Sequence, residues 1–322
     1  MSNNQSLQYF QQTVAAPIHF VGRGLHSGKS ASMTLMPADA DTGYIFRRLD
    51  IEAPHNEVAG RWHNVTDTHL CTTIRNSVGV SVKTIEHLVA ALSACGVDNC
   101  RIDIDGPEVP IMDGSSRPFV EQIEANGVTV LDKERLAIVV TEPVWVTEGE
   151  AKAGLHPFPE PWVDMTIDFE SSVIGKQRLA VPITQQHFNK YICAARTFGF
   201  SEQVETLKKL GFAKGGSLRN AILINHEEVI NPEGLRYENE FVRHKVVDAI
   251  GDLALIGVKI VGCFQGYCSG HELNNRLLRS LMLQKDKWTY TTMRDAMENW
   301  EHLMIDRGQS SYKLDQIAQF AD

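Results

Sequence analysis

The pattern of apolar and polar residues predicts a β-rich beginning to the chain. Short apolar segments at 32–35, 44–47 and 71–74 are predicted strands, and Gly43 is one of the turn residues between them. At 101–105, isoleucines alternate with charged residues, which predicts a strand with one buried face. The first hundred residues therefore predict several short strands.

Two helices are predicted among these strands. Residues 85–95 are mostly apolar, Thr84 is the predicted N-cap, and Gly96 stands where the helix would end. A second helix is predicted at 118–126 and is followed by Gly127. The first half of the chain thus combines strands with helices.

The second half repeats this order of elements. Three strands are predicted, at 136–140, 144–146 and 165–169. A helix at 241–256 ends before Gly257, and a final strand is predicted at 258–264. Each half therefore runs from strands into a helix with a histidine near its start, then a glycine, then a strand. This order predicts a duplicated α+β unit with a boundary near 130–135.

Composition excludes several classes of protein. The 322 residues suffice for two domains, and the formal net charge of −9 argues against a general nucleic-acid binder, which needs a basic face. The polar N-terminus lacks a secretory pattern, and charged residues interrupt the most apolar stretch, 246–264, so no membrane span is predicted. The six cysteines form no CxxC pair, so we expect buried thiols in a cytoplasmic protein.

Two turns resemble catalytic motifs but lack their spacing. In 22–30, Arg23 stands where a phosphate-binding P-loop needs glycine, so an ordinary turn between strands is predicted. Segment 113–116 lacks the glycine that a nucleophile elbow places two residues before its serine. Neither a P-loop NTPase nor a serine hydrolase is predicted.

The most informative segment is the predicted helix at 241–256. At 3.6 residues per turn, His244, Asp248 and Asp252 share one stripe, with Lys245 beside it. An imidazole and a carboxylate one turn apart can bind one metal ion, although the pattern alone is more typical of a solvated face with an ion pair. The apolar residues of the opposite side are Val246, Val247, Ile250 and Leu253.

Two further segments carry candidate chemistry. Glu86 and His87 lie near the start of the helix at 85–95, where the carboxylate either acts as a base beside a metal-bound histidine or simply caps the helix. His271 follows the strand at 258–264 in a predicted loop, from which it either reaches a site or is solvated. Each of these signals is weak by itself.

Together and in this order, the segments resemble the bacterial UDP-3-O-acyl-N-acetylglucosamine deacetylases of lipid A biosynthesis. The agreement extends from about residue 13 to about residue 290 and is far more specific than any single motif. The matching blocks are GLHSGK (24–29), TIEHLVAAL (84–92), PEVPIMDGS (107–115), ARTFGF (195–200), FVRHKVVDAIGD (241–252) and SGHELNN (269–275).

The resemblance implies a fold and an activity. The fold would be α+β, with two similar domains at 1–132 and 133–322, the active site between them and a C-terminal tail. The activity would be zinc-dependent hydrolysis of the 2-acetamido group of UDP-3-O-(3-hydroxyacyl)-N-acetylglucosamine, which releases acetate in the committed step of lipid A biosynthesis. The expected partner is this small UDP-linked sugar, bound by a cytoplasmic monomer.

The resemblance also assigns catalytic roles. The implied ligands of one Zn²⁺ ion are His87, His244 and Asp248, which leave a fourth position open, as catalytic zinc requires. The remaining implied roles are Glu86 as general base, His271 as general acid or cationic stabiliser, Asp252 as the carboxylate that orients His271, and Thr197 as hydrogen-bond donor to the reacting carbonyl oxygen.

Substrate contacts are implied as well. Val204 and Leu207 lie on a predicted amphipathic helix at 201–210, within an insert at about 198–218 that lines an acyl passage in the family. Periodicity alone favours the simpler alternative, a helix that packs on its own domain. The implied contacts to the sugar or the UDP group are Lys245, Phe198, Asp168 and Phe169.

One residue departs from the family pattern. Cys268 stands where the family often has a basic residue, so nucleotide binding is expected to differ, and Lys152 is a candidate for the compensating charge. The sequence also leaves two alternative functions open. One alternative is a zinc amidase that acts on another acetamido sugar or acylated amine. The other alternative is a metal-free binding paralogue, although all the proposed catalytic residues are present.

Overall fold

The computed structural model describes residues 8–306 and confirms the α+β class. Its strands form one set of sheets before residue 135 and another set after it, here called the first half and the second half. One cluster of buried apolar side chains runs through both halves and includes Leu88 of the first and Val246 of the second. The two halves therefore share a core.

The first half is built from short strands. They are β1 (Phe10–Val14), β2 (Ile18–Arg23), β3 (Ser30–Met36), β4 (Tyr44–Arg48), β5 (Glu57–Ala59), β6 (Val65–Asp67), β7 (Thr73–Arg75), β8 (Ser81–Val82), β9 (Cys100–Ile104) and β10 (Val128–Glu134). The main sheet has the order β2-β3-β9-β4-β5, in which β4 and β9 are parallel and the other pairs antiparallel. The smaller sheets are β6-β7-β8 and β1-β10.

The second half has a larger sheet centred on one long strand. Its strands are β11 (Leu136–Val140), β12 (Val144–Glu148), β13 (Ala151–His156), β14 (Pro161–Asp168), β15 (Lys176–Pro182), β16 (Phe198–Phe200), β17 (Ile222–Ile224), β18 (Lys259–Tyr267) and β19 (Trp288–Thr292). The central β18 is parallel to β11 and β14 and antiparallel to β13. Strands β16 and β17 form a separate parallel pair.

Helices pack between and around these sheets. They are α1 (Glu86–Ala94), α2 (Arg117–Asn126), α3 (Gln185–His187), α4 (Ser201–Lys209), α5 (Glu240–Ala254), α6 (His271–Leu283), α7 (Met293–Glu298) and α8 (Trp300–Asp306), with short 3₁₀ or π segments at Trp62–Asn64, Phe188–Ile192 and Lys285–Lys287. The order α1-β9-α2 in the first half matches α5-β18-α6 in the second. This shared order supports the predicted duplication.

Two local predictions are wrong. Thr84 is not the N-cap of α1: Ile85 precedes the helix, and Thr84 has a φ of 57° and donates its hydroxyl to Glu108. His271 is not in a loop, because it is the first residue of α6 and follows the extended Gly270. Both errors arise at helix starts, where the first turn depends on contacts distant in sequence.

The glycine-rich segment at 24–29 is a turn between β2 and β3, as predicted. The backbone N–H groups of His26 and Ser27 donate to the two carboxylate oxygens of Glu108 at 2.7 and 2.8 Å. Because a side chain of the protein already uses these amides, the turn does not offer them to a phosphate as a P-loop does.

The crossing of α1 and α5 joins the two halves at the site. Gly251 lies against the backbone of Glu86, and a Cβ atom there would stand 2.1 Å from the Glu86 carbonyl oxygen. A larger residue would push the helices apart. Glycine at this position therefore brings the polar stripe of α5 next to the first turn of α1.

The cysteines and the helices agree with the expectations from composition. All six cysteines are free thiols, and all but Cys268 are buried. Between residues 8 and 306, no helix combines the length and the apolar character needed to cross a bilayer.

Candidate metal centre and active site

The start of α5 is fixed by a buried ion pair. Glu240 occupies the first turn, where a carboxylate is favoured by the helix dipole, and accepts a hydrogen bond from Arg196 Nε at 2.9 Å. Both side chains are buried. The pair holds the segment that contains Ala195 against α5, and the Ala195 carbonyl lies 3.1 Å from His244 Nδ1.

Three buried side chains converge where α1 crosses α5. Asp248 Oδ1 lies 3.5 Å from His87 Nε2 and 3.4 Å from His244 Nε2, and one donor atom from each residue lies within 4.8 Å of the others. For bonds of the length that zinc makes to nitrogen and oxygen, the edge of a tetrahedron is about 3.4 Å. The separations and the two-nitrogen, one-oxygen donor set therefore fit a tetrahedral metal ion with one position open.

The protonation states also suit a metal site. A carbonyl oxygen only accepts, so His244 Nδ1 donates to Ala195 and the lone pair of Nε2 faces Asp248. Burial lowers the pKa of His244 to about 3, despite the opposing effect of Asp248, so the ring is neutral at pH 7. His87 Nδ1 is buried and has no hydrogen-bond partner among residues 8–306, so the polar contact of that ring is made by Nε2, which faces Asp248.

Asp248 is held as a carboxylate by its cationic neighbour. Lys245 Nζ donates to Asp248 Oδ2 at 2.6 Å, which leaves Oδ1 facing the two imidazoles. Burial by itself would raise the pKa of Asp248, but its close polar neighbours, above all the cation of Lys245, hold the pKa well below its usual range. The carboxylate is thus available as a ligand, and Lys245 has a partner within the site.

A second imidazole–carboxylate pair lies beside this cluster. His271 Nδ1 donates to Asp252 Oδ2 at 2.8 Å, and both side chains are nearly fully buried. Burial would lower the pKa of His271, but Asp252 and the more distant Glu86 and Asp248 raise it to about 9. The ring is therefore a cation at neutral pH, which His244 is not.

Glu86 faces His271 from the other half of the molecule. The distance from Glu86 Oε1 to His271 Nε2 is 4.0 Å, too long for a hydrogen bond and short enough for both to reach one small group between them. Burial raises the pKa of Glu86 above its usual range, opposed by His271 and His87. A carboxyl with a pKa displaced towards neutrality suits proton transfer.

Sequence reasoning missed two residues of this network. Thr72 donates from its backbone N–H to Glu86 Oε2 at 3.0 Å and from its hydroxyl to Asp252 Oδ1 at 2.6 Å. Asn274 Nδ2 donates to Asp252 Oδ2 at 2.9 Å. Asn274 lies one turn after His271, so recognition of α6 would have placed it on the same face. No local signal marks Thr72.

The residues predicted to contact the sugar and the nucleotide lie at different distances from the metal cluster. Phe198 stacks edge-on near His244, with ring centroids 6.1 Å apart, and Phe169 contacts Phe198 at 5.8 Å. Thr197 immediately precedes Phe198 in sequence, and its backbone N–H donates to Gly114 O at 2.8 Å. Asp168 lies further out, where its carboxylate accepts from Tyr267 and pairs loosely with Lys176 at 4.0 Å.

The acyl-passage residues lie on α4, which follows β16 without a break. Val204 and Leu207 are half-buried on one face of this helix, and Leu210 just beyond it is exposed. Within the described residues, no hydrogen bond or ring contact joins Val204 or Leu207 to the metal cluster. Chain continuity with Phe198 and Phe200 of β16 links this helix to the residues beside the cluster.

Two lysines lie near the position where sequence reasoning noted a missing basic residue. Lys152 of β13 lies opposite Tyr267 of β18, the residue before Cys268. Lys176 Nζ stands 5.8 Å from the centre of the Tyr267 ring. The sequence pointed to Lys152 as a source of compensating charge, whereas the structure adds Lys176.

Comparisons with known proteins agree with this geometry. The family model described as UDP-3-O-acyl N-acetylglycosamine deacetylase matches residues 11–283. Relatives named UDP-3-O-acyl-N-acetylglucosamine deacetylase include proteins of Citrifermentans bemidjiense (46% identical, covering 87% of this chain and 91% of the relative), Legionella pneumophila strain Lens (44%, 87% and 92%) and Phenylobacterium zucineum (43%, 89% and 98%). The chain therefore belongs to the UDP-3-O-acyl N-acetylglycosamine deacetylase family, a family of amide-hydrolysing metalloenzymes.

Proposed function

We propose that this chain hydrolyses the 2-acetamido group of UDP-3-O-(3-hydroxyacyl)-N-acetylglucosamine and releases acetate, the committed step of lipid A biosynthesis. The observation that carries the proposal is the meeting of three metal-binding groups with Glu86 and His271. One carboxyl with a raised pKa and one imidazolium with a raised pKa face each other across 4.0 Å, as an acid–base pair acting on one amide requires.

The metal is proposed to be a single zinc ion held by His87, His244 and Asp248. Two imidazoles and a carboxylate are a ligand set that catalytic zinc uses. When bound, zinc supplies Lewis-acid polarisation of the amide carbonyl and lowers the pKa of a coordinated water to about 7. Lys245 keeps Asp248 ionised and leaves one of its oxygens free for the ion.

Glu86 and His271 move the protons of the reaction. The Glu86 carboxylate accepts a proton from the water whose oxygen attacks the acetyl carbon. His271, already protonated, gives its Nε2 proton to the amide nitrogen as the C–N bond breaks, so acetate and a free amine leave. Asp252 keeps His271 charged and oriented through the 2.8 Å hydrogen bond to Nδ1.

Thr197 and the aromatic residues position the reacting group. The Thr197 hydroxyl donates to the carbonyl oxygen, where negative charge develops as the water attacks. Phe198 and Phe169 pack against the sugar, because their rings form a continuous apolar surface beside His244. Val204 and Leu207 on α4 provide the apolar face along which the acyl chain lies.

Charged residues bind the nucleotide end of the substrate. Asp168 contacts the UDP moiety or the sugar, as does Lys245 once the metal shares its interaction with Asp248. Lys152 and Lys176 supply the positive charge that Cys268 does not, since both lie beside Tyr267. We also propose that the protein is a cytoplasmic monomer with domains at 1–132 and 133–322, each contributing one side of the site.

The experiment is an acetate-release assay on UDP-3-O-acyl-N-acetylglucosamine substrates of increasing acyl length. Zinc-loaded protein should bind about one zinc ion per chain and release acetate, and a chelator should abolish the activity until zinc is restored. Removal of the acyl chain should lower kcat/KM, because α4 would lose its apolar contact.

Two results would contradict the proposal. Metal-loaded protein that is inert on all these substrates, yet hydrolyses another acetamido compound, would indicate a different amidase. Protein that binds the nucleotide sugar without taking up any metal would indicate a binding paralogue.

A further inference from the structure

Thr72 is in contact with both sides of the acid–base pair. It belongs to the first half, faces Asp252 of α5, is 2% exposed, and immediately precedes β7. Its backbone N–H donates to Glu86 and its hydroxyl donates to Asp252, which is 180 residues away in the chain. Its carbonyl oxygen also lies 3.5 Å from the backbone nitrogen of Ile85, at the start of α1.

Each of the two hydrogen bonds from Thr72 to a carboxylate determines which carboxylate oxygen is left to face His271. The Thr72 N–H occupies Oε2 of Glu86, so Oε1 is the oxygen that faces His271. The Thr72 hydroxyl occupies Oδ1 of Asp252, so Oδ2 is the oxygen that His271 and Asn274 use. A carboxylate with one oxygen fixed cannot rotate freely, so its other oxygen stays in place.

We propose that Thr72 is a positioning residue that couples the placement of the general base to the placement of the general acid, a role that rests on the proposed deacetylase function. Glu86 and His271 come from different halves of the molecule, and Thr72 donates to Glu86 and to the aspartate that holds His271. A misplacement of about 1 Å between such groups is costly to a reaction that needs both.

The hydroxyl is the part of Thr72 that substitution can remove. Thr72→Val keeps the branched shape and the backbone N–H, and leaves Asp252 Oδ1 without its donor. The expected result is a fall in kcat of about 10- to 100-fold, the usual cost of losing such a supporting hydrogen bond. We expect KM to change by less than about twofold, because Thr72 does not contact the substrate.

Thr73 provides a matched control. It is the next residue, is 1% exposed, and within residues 8–306 the hydrogen-bond partner of its hydroxyl is the Cys71 thiol, at 3.8 Å. Thr73→Val makes the same change to a buried threonine outside the site, so we expect its kcat to stay within about twofold of the original. Thr72→Ser restores the hydroxyl and should recover most of the kcat lost in Thr72→Val.

A double variant separates positioning from a general structural effect. If Thr72 acts through the Asp252 carboxylate, Thr72→Val should slow an Asp252→Asn protein much less than it slows the original, because the two changes remove one shared interaction. Additive losses in kcat would overturn the proposal. So would a Thr72→Val protein as fast as Thr73→Val, or a Thr72→Ser protein as slow as Thr72→Val.

The proposal stays testable if Thr72→Val does not fold. The comparison of Thr72→Ser with Thr72→Ala then replaces it, and equal kcat in those two proteins would overturn the role of the hydroxyl. Failure of the proposed function gives a different result, since the unmodified, zinc-loaded protein would then release no acetate from the nucleotide sugar.

Discussion

Two imidazole–carboxylate pairs lie side by side in this molecule and titrate in opposite directions. His244 faces Asp248 and has a pKa of about 3, whereas His271 faces Asp252 and has a pKa of about 9. Both rings are deeply buried, so burial does not explain the difference. The carboxylates differ in how their charge is shared.

Asp248 divides its charge among several cationic or polar partners. Lys245 takes one oxygen at 2.6 Å, and His87 and His244 both approach the other at about 3.5 Å. Among residues 8–306, Asp252 has no lysine or arginine in hydrogen-bond or ion-pair contact. It accepts from the neutral donors Thr72 and Asn274, and it holds His271 at 2.8 Å. The cation of Lys245 opposes a second positive charge beside Asp248, so His244 is neutral, whereas no lysine or arginine in contact with Asp252 opposes the protonation of His271.

The largest expected effect comes from removing His244, the neutral histidine of the first pair. His244→Ala removes one of three ligands, so we expect zinc content to fall far below one ion per chain and acetate release to fall to the background of chelated protein. Metal content by atomic emission and activity should decline together. Full activity in this variant would remove His244 from the ligand set.

The second prediction breaks the charged pair. Because the reaction needs Glu86 deprotonated and His271 protonated, kcat/KM should fall at acid pH as Glu86 gains a proton and at alkaline pH near 9 as His271 loses one. Asp252→Asn removes the negative charge that raises the pKa of His271, so the alkaline limb should move to lower pH. At neutral pH we expect a loss of about 10²- to 10⁴-fold.

The comparison variant for this profile is Thr73→Val, which should leave both limbs in place. An alkaline limb that stays near pH 9 in the Asp252→Asn protein would show that His271 does not titrate there. The role of general acid would then need another residue.

Sequence patterns predicted the parts of the fold whose causes are local. The stripe on α5 follows from the 3.6-residue period, so the relation among His244, Asp248 and Asp252 could be read without a structure. Strand pairing is not local: β1 pairs with β10, more than a hundred residues away, and the pattern of neither strand shows this. The helices after residue 290 carry no motif, and they pack on a satellite cluster around Ala296.

The same distinction applies to the site. Glu86, His87 and His271 were found because their sequence blocks resemble a family, and periodicity alone gave each of them a simpler explanation. Thr72 was missed because its two carboxylate partners lie 14 and 180 residues away and its own segment reads as an ordinary strand. Hydrogen-bond partners across a helix crossing are set by packing, which a single sequence does not reveal.

The smallest expected effect concerns Lys259, a half-buried cation that has no carboxylate in hydrogen-bond contact among residues 8–306. Lys259 Nζ donates to the Ser93 carbonyl and hydroxyl near the end of α1, at 2.6 and 3.1 Å. Burial, reinforced by Arg135, lowers the pKa of this lysine to about 8, so it shows what happens to a base that lacks the close aspartate of His271. The same desolvation acts on His271, where Asp252 reverses it.

This contrast predicts a pH-dependent stability. The folded protein loses the Lys259 proton near pH 8, whereas the unfolded chain keeps it until about 10.5, so the free energy of unfolding should rise with pH across that interval. Lys259→Met abolishes this contribution, and the difference between the two proteins should change by about 2.5 kcal/mol from pH 7 to pH 10. Urea unfolding of both proteins at several pH values measures that difference, in which the other titrating groups cancel. A difference independent of pH would mean that the amine is hydrated in the folded state and keeps its ordinary pKa.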